Sequence, residues 1–269
     1  MPPVRWEVRR FASLGSTNDY VMEAARAGAP QALVAVADHQ SAGRGRLGRH
    51  WEAPPGRCLL ASVLLRPLAP ATGLFACTAA VALATARACE TTAGVRPAIK
   101  WPNDLVVGDE KLAGVLAESD PRAPGGRPGS VAVVVGVGCN VEWPLPGAPG
   151  PPSATSLLAH SARSCEPQAL LSALLDELSP LVGFLDSPRG RAQMIEQLRA
   201  RCSTLGRRVR VELVPGATAT GSQQPPAHVQ PPLVGTAISL TNDGCLVVRP
   251  DTGPDVTVTA GDVHHLRPQ

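Results

Sequence analysis

Gly43-Arg44-Gly45-Arg46-Leu47-Gly48-Arg49-His50-Trp51 sets three arginines among three glycines and closes on a tryptophan. Glycine lets the backbone enter conformations closed to other residues and approach a ligand closely. Arginine adds a permanent charge and a planar fork of donors that matches carboxylate and phosphate. The stretch therefore reads as a loop that closes over an anion. The same composition suits a solvated basic loop or one that touches nucleic-acid backbone, so the choice rests on the rest of the chain. Its glycines make it costly to order, and an open loop is expected without ligand.

Working outward, Leu33–Ala37 is an apolar run ending at Asp38-His39-Gln40, and Cys58–Leu65 is another, stopped by Arg66-Pro67. Both read as buried strands. Residues 4–12 predict a short strand. Gly15-Ser16-Thr17-Asn18-Asp19 then opens a helix with Tyr20, Val21, Ala24 and Ala25 on one face, capped by Ser16, Thr17 or Asn18. Residues 73–92, rich in Ala, Leu and Thr and free of proline, predict a buried helix. Ala98–Val107 and Lys111–Glu118 read as two strands joined at Gly108-Asp109. Val131–Val135 is β-branched throughout its apolar length apart from Ala132, as a central strand is. Helices are expected over 167–186 and 189–202. Beyond Ser203 come short alternating runs at Arg208–Val214, Leu233–Leu240, Cys245–Pro250 and Val256–Ala260, with a turn at Asn242-Asp243-Gly244. The expected class is α+β, with a mixed-sheet domain over 1–203 and a small β-barrel over 204–269.

A chain of 269 residues can bury a sizeable core. Its net charge of +3 is too small for a nucleic-acid coat or an anionic-membrane partner. The seven cysteines form no CxxC pair and no zinc spacing, so they read as reduced thiols of a cytoplasmic protein. Cys58, Cys77, Cys89, Cys139 and Cys245 are expected in the core. No signal segment opens the chain, and no run is expected to reach membrane-spanning length.

Three further blocks carry chemistry. Lys100-Trp101-Pro102-Asn103-Asp104, read as strand, sends Lys100, Pro102 and Asp104 to one face and Trp101 and Asn103 to the other. Its proline favours an edge or a bulge. Lys111-Leu112-Ala113-Gly114 opens the next strand; a lone lysine there also reads as a snorkelling surface residue. Gly136-Val137-Gly138-Cys139-Asn140 lacks the spacing of a dinucleotide fingerprint.

Taken in order, Gly15–Asn18, Gln40 with Gly43–Trp51, Lys100–Leu105, Lys111–Glu118 and Gly136–Asn140 resemble the biotin–protein ligases. The resemblance implies a class II synthetase-like mixed sheet followed by an SH3-like barrel. It implies an ATP- and Mg2+-dependent activation of biotin as biotinyl-5′-AMP, then transfer to a lysine of a biotin carboxyl carrier domain. By the same resemblance, Ser16, Thr17, Asn18, Gln40, Gly43, Arg44, Gly45, Arg46, Lys111 and Gly114 bind biotin. Arg46, Arg49, Trp51, Lys100, Asn103 and Asn140 serve ATP, with Lys100 and Asn103 toward the phosphates and Mg2+ and Asn140 at the adenine. Arg46, Lys111 and Asp104 act in catalysis, Asp104 orienting or deprotonating the incoming amine. No protein side chain is expected as a dedicated metal ligand.

Because the motifs start by residue 15, the helix-turn-helix domain some of these ligases carry is not expected, nor is specific DNA binding. A homodimer stays open. A lipoate–protein ligase shares the fold, but its apolar substrate does not call for Ser16-Thr17-Asn18 and Gln40. A non-enzymatic nucleic-acid binder would use Arg44, Arg46 and Arg49, against which stand the low charge and the sparse aromatics. The Pro-rich stretches 121–130, 143–152 and 215–232 suggest no function.

Overall fold

The computed structural model describes residues 4–68, 74–145, 147, 151, 153–213, 219–220 and 232–266. Val214, most of the 215–232 stretch and part of 143–152 lie outside the described residues.

The first sheet has seven strands: β1 (Glu7–Leu14), β2 (Leu33–Gln40), β3 (Cys58–Leu65), β4 (Ala98–Lys100), β5 (Asp104–Val107), β6 (Glu110–Asp120) and β7 (Ala132–Asn140). Their order is β1-β2-β3-β7-β6-β5-β4. Only β1 and β2 run parallel; the other neighbours are antiparallel. β3 is buried at every position, which is why it reads as an unbroken apolar run rather than an alternating one. Its one polar member, Ser62, is fully buried.

The run 98–107 is not one strand. It turns back at Trp101-Pro102-Asn103, so that Lys100 faces Asp104 across an antiparallel pair. The alternation expected for Lys100–Asp104 therefore does not hold. β-formers flank the turn on both sides, and only the Trp-Pro step interrupts them. β4 is the edge strand, as its neighbouring proline suggested, and Ile99 bonds both Arg201 and Ser203, which covers that edge.

Helix α1 (Thr17–Arg26) is capped by Ser16, whose side chain accepts from Asp19 N. α2 (Phe75–Ala93) is buried on nearly all sides and packs against the sheet and α4 (Pro167–Val182). α3 (Leu157–His160) was not expected from the sequence; α5 (Pro188–Arg199) was. The segment Pro167–Asp186 is long and apolar enough to cross a membrane, contrary to the expectation. Here Leu170, Leu174 and Leu178 are fully buried in the core shared with α2.

The second sheet is antiparallel: β8 (Arg208–Leu213), β9 (Ala219–Thr220), β10 (Leu233–Leu240), β11 (Leu246–Pro250), β12 (Val256–Val258) and β13 (Gly261–His265), ordered β13-β8-β10-β11-β12-β9. One hydrophobic cluster runs from α2 and β3 through Trp101 into Val209, Val248 and Val258. Trp101 joins the sheets directly: its backbone N–H donates to Thr204 and its indole to Gly244 O. Of the cysteines expected in the core, Cys245 is only half-buried, whereas Cys165 is buried.

Candidate active site

The sheet, the N-terminus of α1, the glycine/arginine loop and the start of β13 line an open cavity. Ser16, Thr17 and Asn18 reach it because the cap and first turn of α1 lie over the sheet. Their side chains are buried, and those of Thr17 and Asn18 are fixed by bonds to neighbouring strands. Thr17 donates through N and Oγ1 to Gln40 Oε1, at 2.7 and 2.9 Å. Ser62 Oγ lies 2.7 Å from Thr17 Oγ1 and 2.6 Å from Asn18 Oδ1. Asn18 Nδ2 donates to Glu118 Oε2 at 2.6 Å. This end of the cavity presents hydroxyls and amides, which suit a neutral polar ring rather than an ion. The close approach of Asn18 needs Gly136: a Cβ there would stand 2.3 Å from Asn18 Oδ1.

The other end is charged. The loop 43–51 is folded over the cavity, with Gly45 N bonded to Arg49 O and Trp51 N to Gly43 O. It is held by Asp19, Glu118, Asn103, Gly261 and Asp262, of which only Asn103 was expected at the site. Arg44 forks onto Asp19 at 2.6 Å through both Nη atoms and also meets Glu118 at 3.2 Å. That bond holds the Asp19 carboxyl below the usual range and raises the Arg44 guanidinium further. Arg46 donates to Asn103 Oδ1 at 3.1 Å and to Gly261 O at 3.0 Å. Burial lowers the Arg46 guanidinium, against the pull of Asp262 and Asp104. Arg49 pairs with Asp262. The open loop expected from its glycines is thus a closed one here, because carboxylates and a carbonyl occupy the arginines.

Lys111 Nζ lies 2.7 Å from Asp104 Oδ1 and 5.6 Å from the centre of the Trp51 ring. Asn103 is built into the sheet edge, giving Nδ2 to Val115 O and taking a bond from Val115 N. Gly114 lies under Lys111 and Trp51, and Gly138 lies against the Trp51 indole. Gly43 is buried beside the cavity, where a Cβ would stand 2.6 Å from Trp51 O.

Besides Gly43, two expected residues do not line the cavity. Lys100 faces a separate cleft with Asp109, Arg207 and His265, because the turn at Trp101–Asn103 directs β4 away from β5's cavity end. Asn140 is buried and consumed by the fold: Nδ2 donates to Thr155 O at 2.8 Å, and Oδ1 faces the Cys58 thiol. Conversely, Ser62, Glu118 and Asp262 were missed. A single serine inside Leu-Leu-Ala-Ser-Val-Leu-Leu was a legible signal for Ser62; nothing local marked Glu118 or Asp262.

The arrangement suits an anion held by Arg46 and Lys111, next to a polar pocket for an uncharged ring. A family model described as the biotin/lipoate A/B protein ligase family matches residues 11–140. The biotin–[acetyl-CoA-carboxylase] ligase of Mycobacterium tuberculosis is 36% identical over 95% of this chain and 88% of its own. That of Paracoccus denitrificans is 34% identical over 73% of this chain and 81% of its own. Among solved structures, the Aquifex aeolicus biotin protein ligase in complex with biotin and ATP superposes with a TM-score of 0.74, at 21% identity over 97% of this chain and 99% of that one. The chain belongs to the biotin/lipoate A/B protein ligase family.

Proposed function

We propose that this protein is an ATP-dependent biotin–protein ligase acting on a biotin carboxyl carrier domain of a carboxylase. The observation that carries the reading is one cavity with Thr17 and Gln40 at its neutral end and Arg46 and Lys111 at its cationic end. The polar end suits the ureido ring of biotin and offers little to a dithiolane, which disfavours lipoate. A biotin carboxylate oxygen attacks the α-phosphorus of ATP, and the bond to pyrophosphate breaks. The carrier lysine's neutral amine then attacks the acyl carbon, AMP leaves, and the amine gives up a proton. The first step brings two anions together, so charge neutralisation by Arg46 and Lys111 dominates its catalysis. Asp104 is the group at hand for the amine proton; an anion that recruits Lys111 would release Asp104 from its ion pair. Arg44, Arg49 and Trp51 wall the bound intermediate.

Among the described residues no group of three His, Cys, Asp or Glu side chains is placed to hold a metal. At the cationic end the side-chain oxygens lining the cavity are those of Asn103, Asp104 and Asp262, a donor type that suits a magnesium ion carried on ATP phosphates. Magnesium, when bound, neutralises phosphate charge. The seven free thiols support a cytoplasmic site of action. One chain walls the whole cavity, so a homodimer would hold two complete sites. DNA association is expected to be weak and salt-sensitive. The test is incubation with ATP, Mg2+ and a carrier domain plus biotin or lipoate, read by intact mass of the carrier. Modification with biotin alone is expected; equal modification by lipoate would refute the substrate assignment.

A further inference from the structure

A second cleft opens between the β4–β5 hairpin and the end of β13. On β5, Asp104 lines the cavity and Val106 the cleft; on β13, Asp262 lines the cavity and His264 the cleft. Residues two apart on a strand share a face, so the two depressions follow one another along one surface. Lys100 and Arg207 line the cleft with His264 and His265, against one carboxylate, Asp109. Lys100 has no hydrogen bond or ion pair with a described residue. It and Lys111 are the only lysines in the sequence; the other strong bases are arginines. Arg207 gives one nitrogen to Asp109 Oδ1 at 2.9 Å, and that side chain is 79% exposed at the turn before β6. The neighbouring Arg208 and Arg210 are matched by Asp251 and Glu212, so they leave no carboxylate over for the cleft. His265 Nε2 lies 3.1 Å from Oγ1 of the fully buried Thr204, and Nδ1 is the nitrogen not used there. Burial, then Lys100 and Arg207, hold the ring neutral against the pull of Asp109. The cleft is thus positive and short of anions.

We propose that this cleft is a binding site for an inorganic oxyanion of the phosphate class, distinct from the catalytic cavity. An ammonium, a guanidinium fork and an imidazole are supplied by β4, by the residue before β8 and by β13. Three donors of different geometry suit an anion with three or more oxygens; a planar carboxylate would satisfy the guanidinium and leave the others. Asp109 is the stand-in. Its exposed carboxylate takes part of Arg207, and a pair so exposed is displaced at small cost. An anion that offsets Lys100 and Arg207 also lets His265 take a proton, after which both ring nitrogens donate. β4 belongs to the first sheet and β13 to the second, so the site exists only where the two sheets meet. Nothing in it requires biotin or ATP, and it is tested without them.

The test is a titration of the full chain with orthophosphate and with pyrophosphate at fixed pH and ionic strength, followed by calorimetry and by the histidine ring resonances. The resonance absent from His265→Gln is assigned to His265. Saturable binding is expected, with that resonance moving toward its protonated position. Lys100→Met and Arg207→Met are each expected to weaken binding about tenfold, with melting temperatures close to that of the parent. Asp109→Asn removes the competing carboxylate and is expected to strengthen binding about two- to fivefold. Lys111→Ala is expected to bind as the parent does, because its ammonium lies in the cavity. A response to both anions marks a general phosphate site and a response to pyrophosphate alone a product site; either supports the proposal. Absence of saturable binding, an equal response to chloride, binding that survives both Lys100→Met and Arg207→Met, or binding that Lys111→Ala abolishes would overturn it. A parent protein that releases no pyrophosphate with biotin and ATP would refute the ligase reading alone.

Discussion

Replacing Lys111 by alanine removes one ammonium group from the cavity, and the structure separates its effect on folding from its effect on chemistry. In the fold, Lys111 makes an ion pair with Asp104 and a cation–π contact with Trp51. Its side chain is 37% exposed and that of Asp104 24%. A partly exposed pair contributes about 0.2–1 kcal/mol and an exposed cation–π contact about 0.5–1 kcal/mol. The total is about 1 kcal/mol, or a fall in Tm of about 2–4 °C for a chain of this size. In the proposed reaction, the same ammonium would face the anionic carboxylate as it closes on the phosphate, and the charge that grows on the phosphoryl and leaving oxygens. Such a contact is worth about 2–4 kcal/mol, hence about 30- to 1000-fold in rate. Removing Lys111 also leaves Asp104 unpaired beside the incoming carboxylate, which adds to the loss. Single-turnover pyrophosphate release and a thermal melt on the same preparation measure the two effects. A rate within threefold of the parent would refute the transition-state role and leave Lys111 as a surface residue.

Three other perturbations have defined outcomes. Arg66 is 3% exposed and donates to Ala25, Ala29 and Ala123 carbonyls, closing the C-terminal end of α1; Arg66→Met should lower unfolding stability by about 2–4 kcal/mol in urea titrations, and a loss under 0.5 kcal/mol would show those bonds to be idle. Burial and the nearby Lys100 and Arg207 push His265 down to about 4, so the folded state favours its neutral form. Its contribution is complete above pH 6.5 and is lost as pH falls from there toward 4. The full shift corresponds to about 3 kcal/mol, reduced by solvent to about 1–2 kcal/mol; His265→Gln should flatten that part of the stability–pH curve, and an unchanged slope would contradict the assignment. Trypsin should cut after Arg44, Arg46 or Arg49 more slowly once biotin and ATP are added, since bound anions tighten the loop; equal cleavage rates would show that ligand adds nothing to its closure.

What the sequence disclosed follows the range of the interactions involved. β3 begins and ends where its apolar run does, because burial on both faces is a local compositional property. The helix cap, narrowed to Ser16, Thr17 or Asn18, and the glycine/arginine loop were legible for the same reason: their chemistry lies within a few residues. The split of 98–107 was hidden because β-forming residues stand on both sides of the turn. For Lys100 and Asn140 the motif did not show which neighbours the fold would give them. One is directed to another cleft, the other is spent on Thr155 and the Cys58 thiol. Glu118 and Asp262 were invisible because their importance comes from arginines 74 and 213 residues away.

The bond from Arg46 to Gly261 O joins residues 215 apart, and Arg49 reaches Asp262 across nearly the same distance. Both partners sit at the opening of β13. During synthesis, most of the seven-stranded sheet and its helices can settle while the last strand is still inside the ribosome. The loop's arginines then have only their nearer partners, Asp19, Glu118 and Asn103. Closing so long a stretch of chain costs entropy that only the late contacts repay. The cavity therefore becomes a finished enclosure as one of the last events of folding, and a nascent or C-terminally clipped chain keeps its cationic mouth ajar. Competence to retain a reactive intermediate is in this way tied to the arrival of β13, through Gly261 and Asp262.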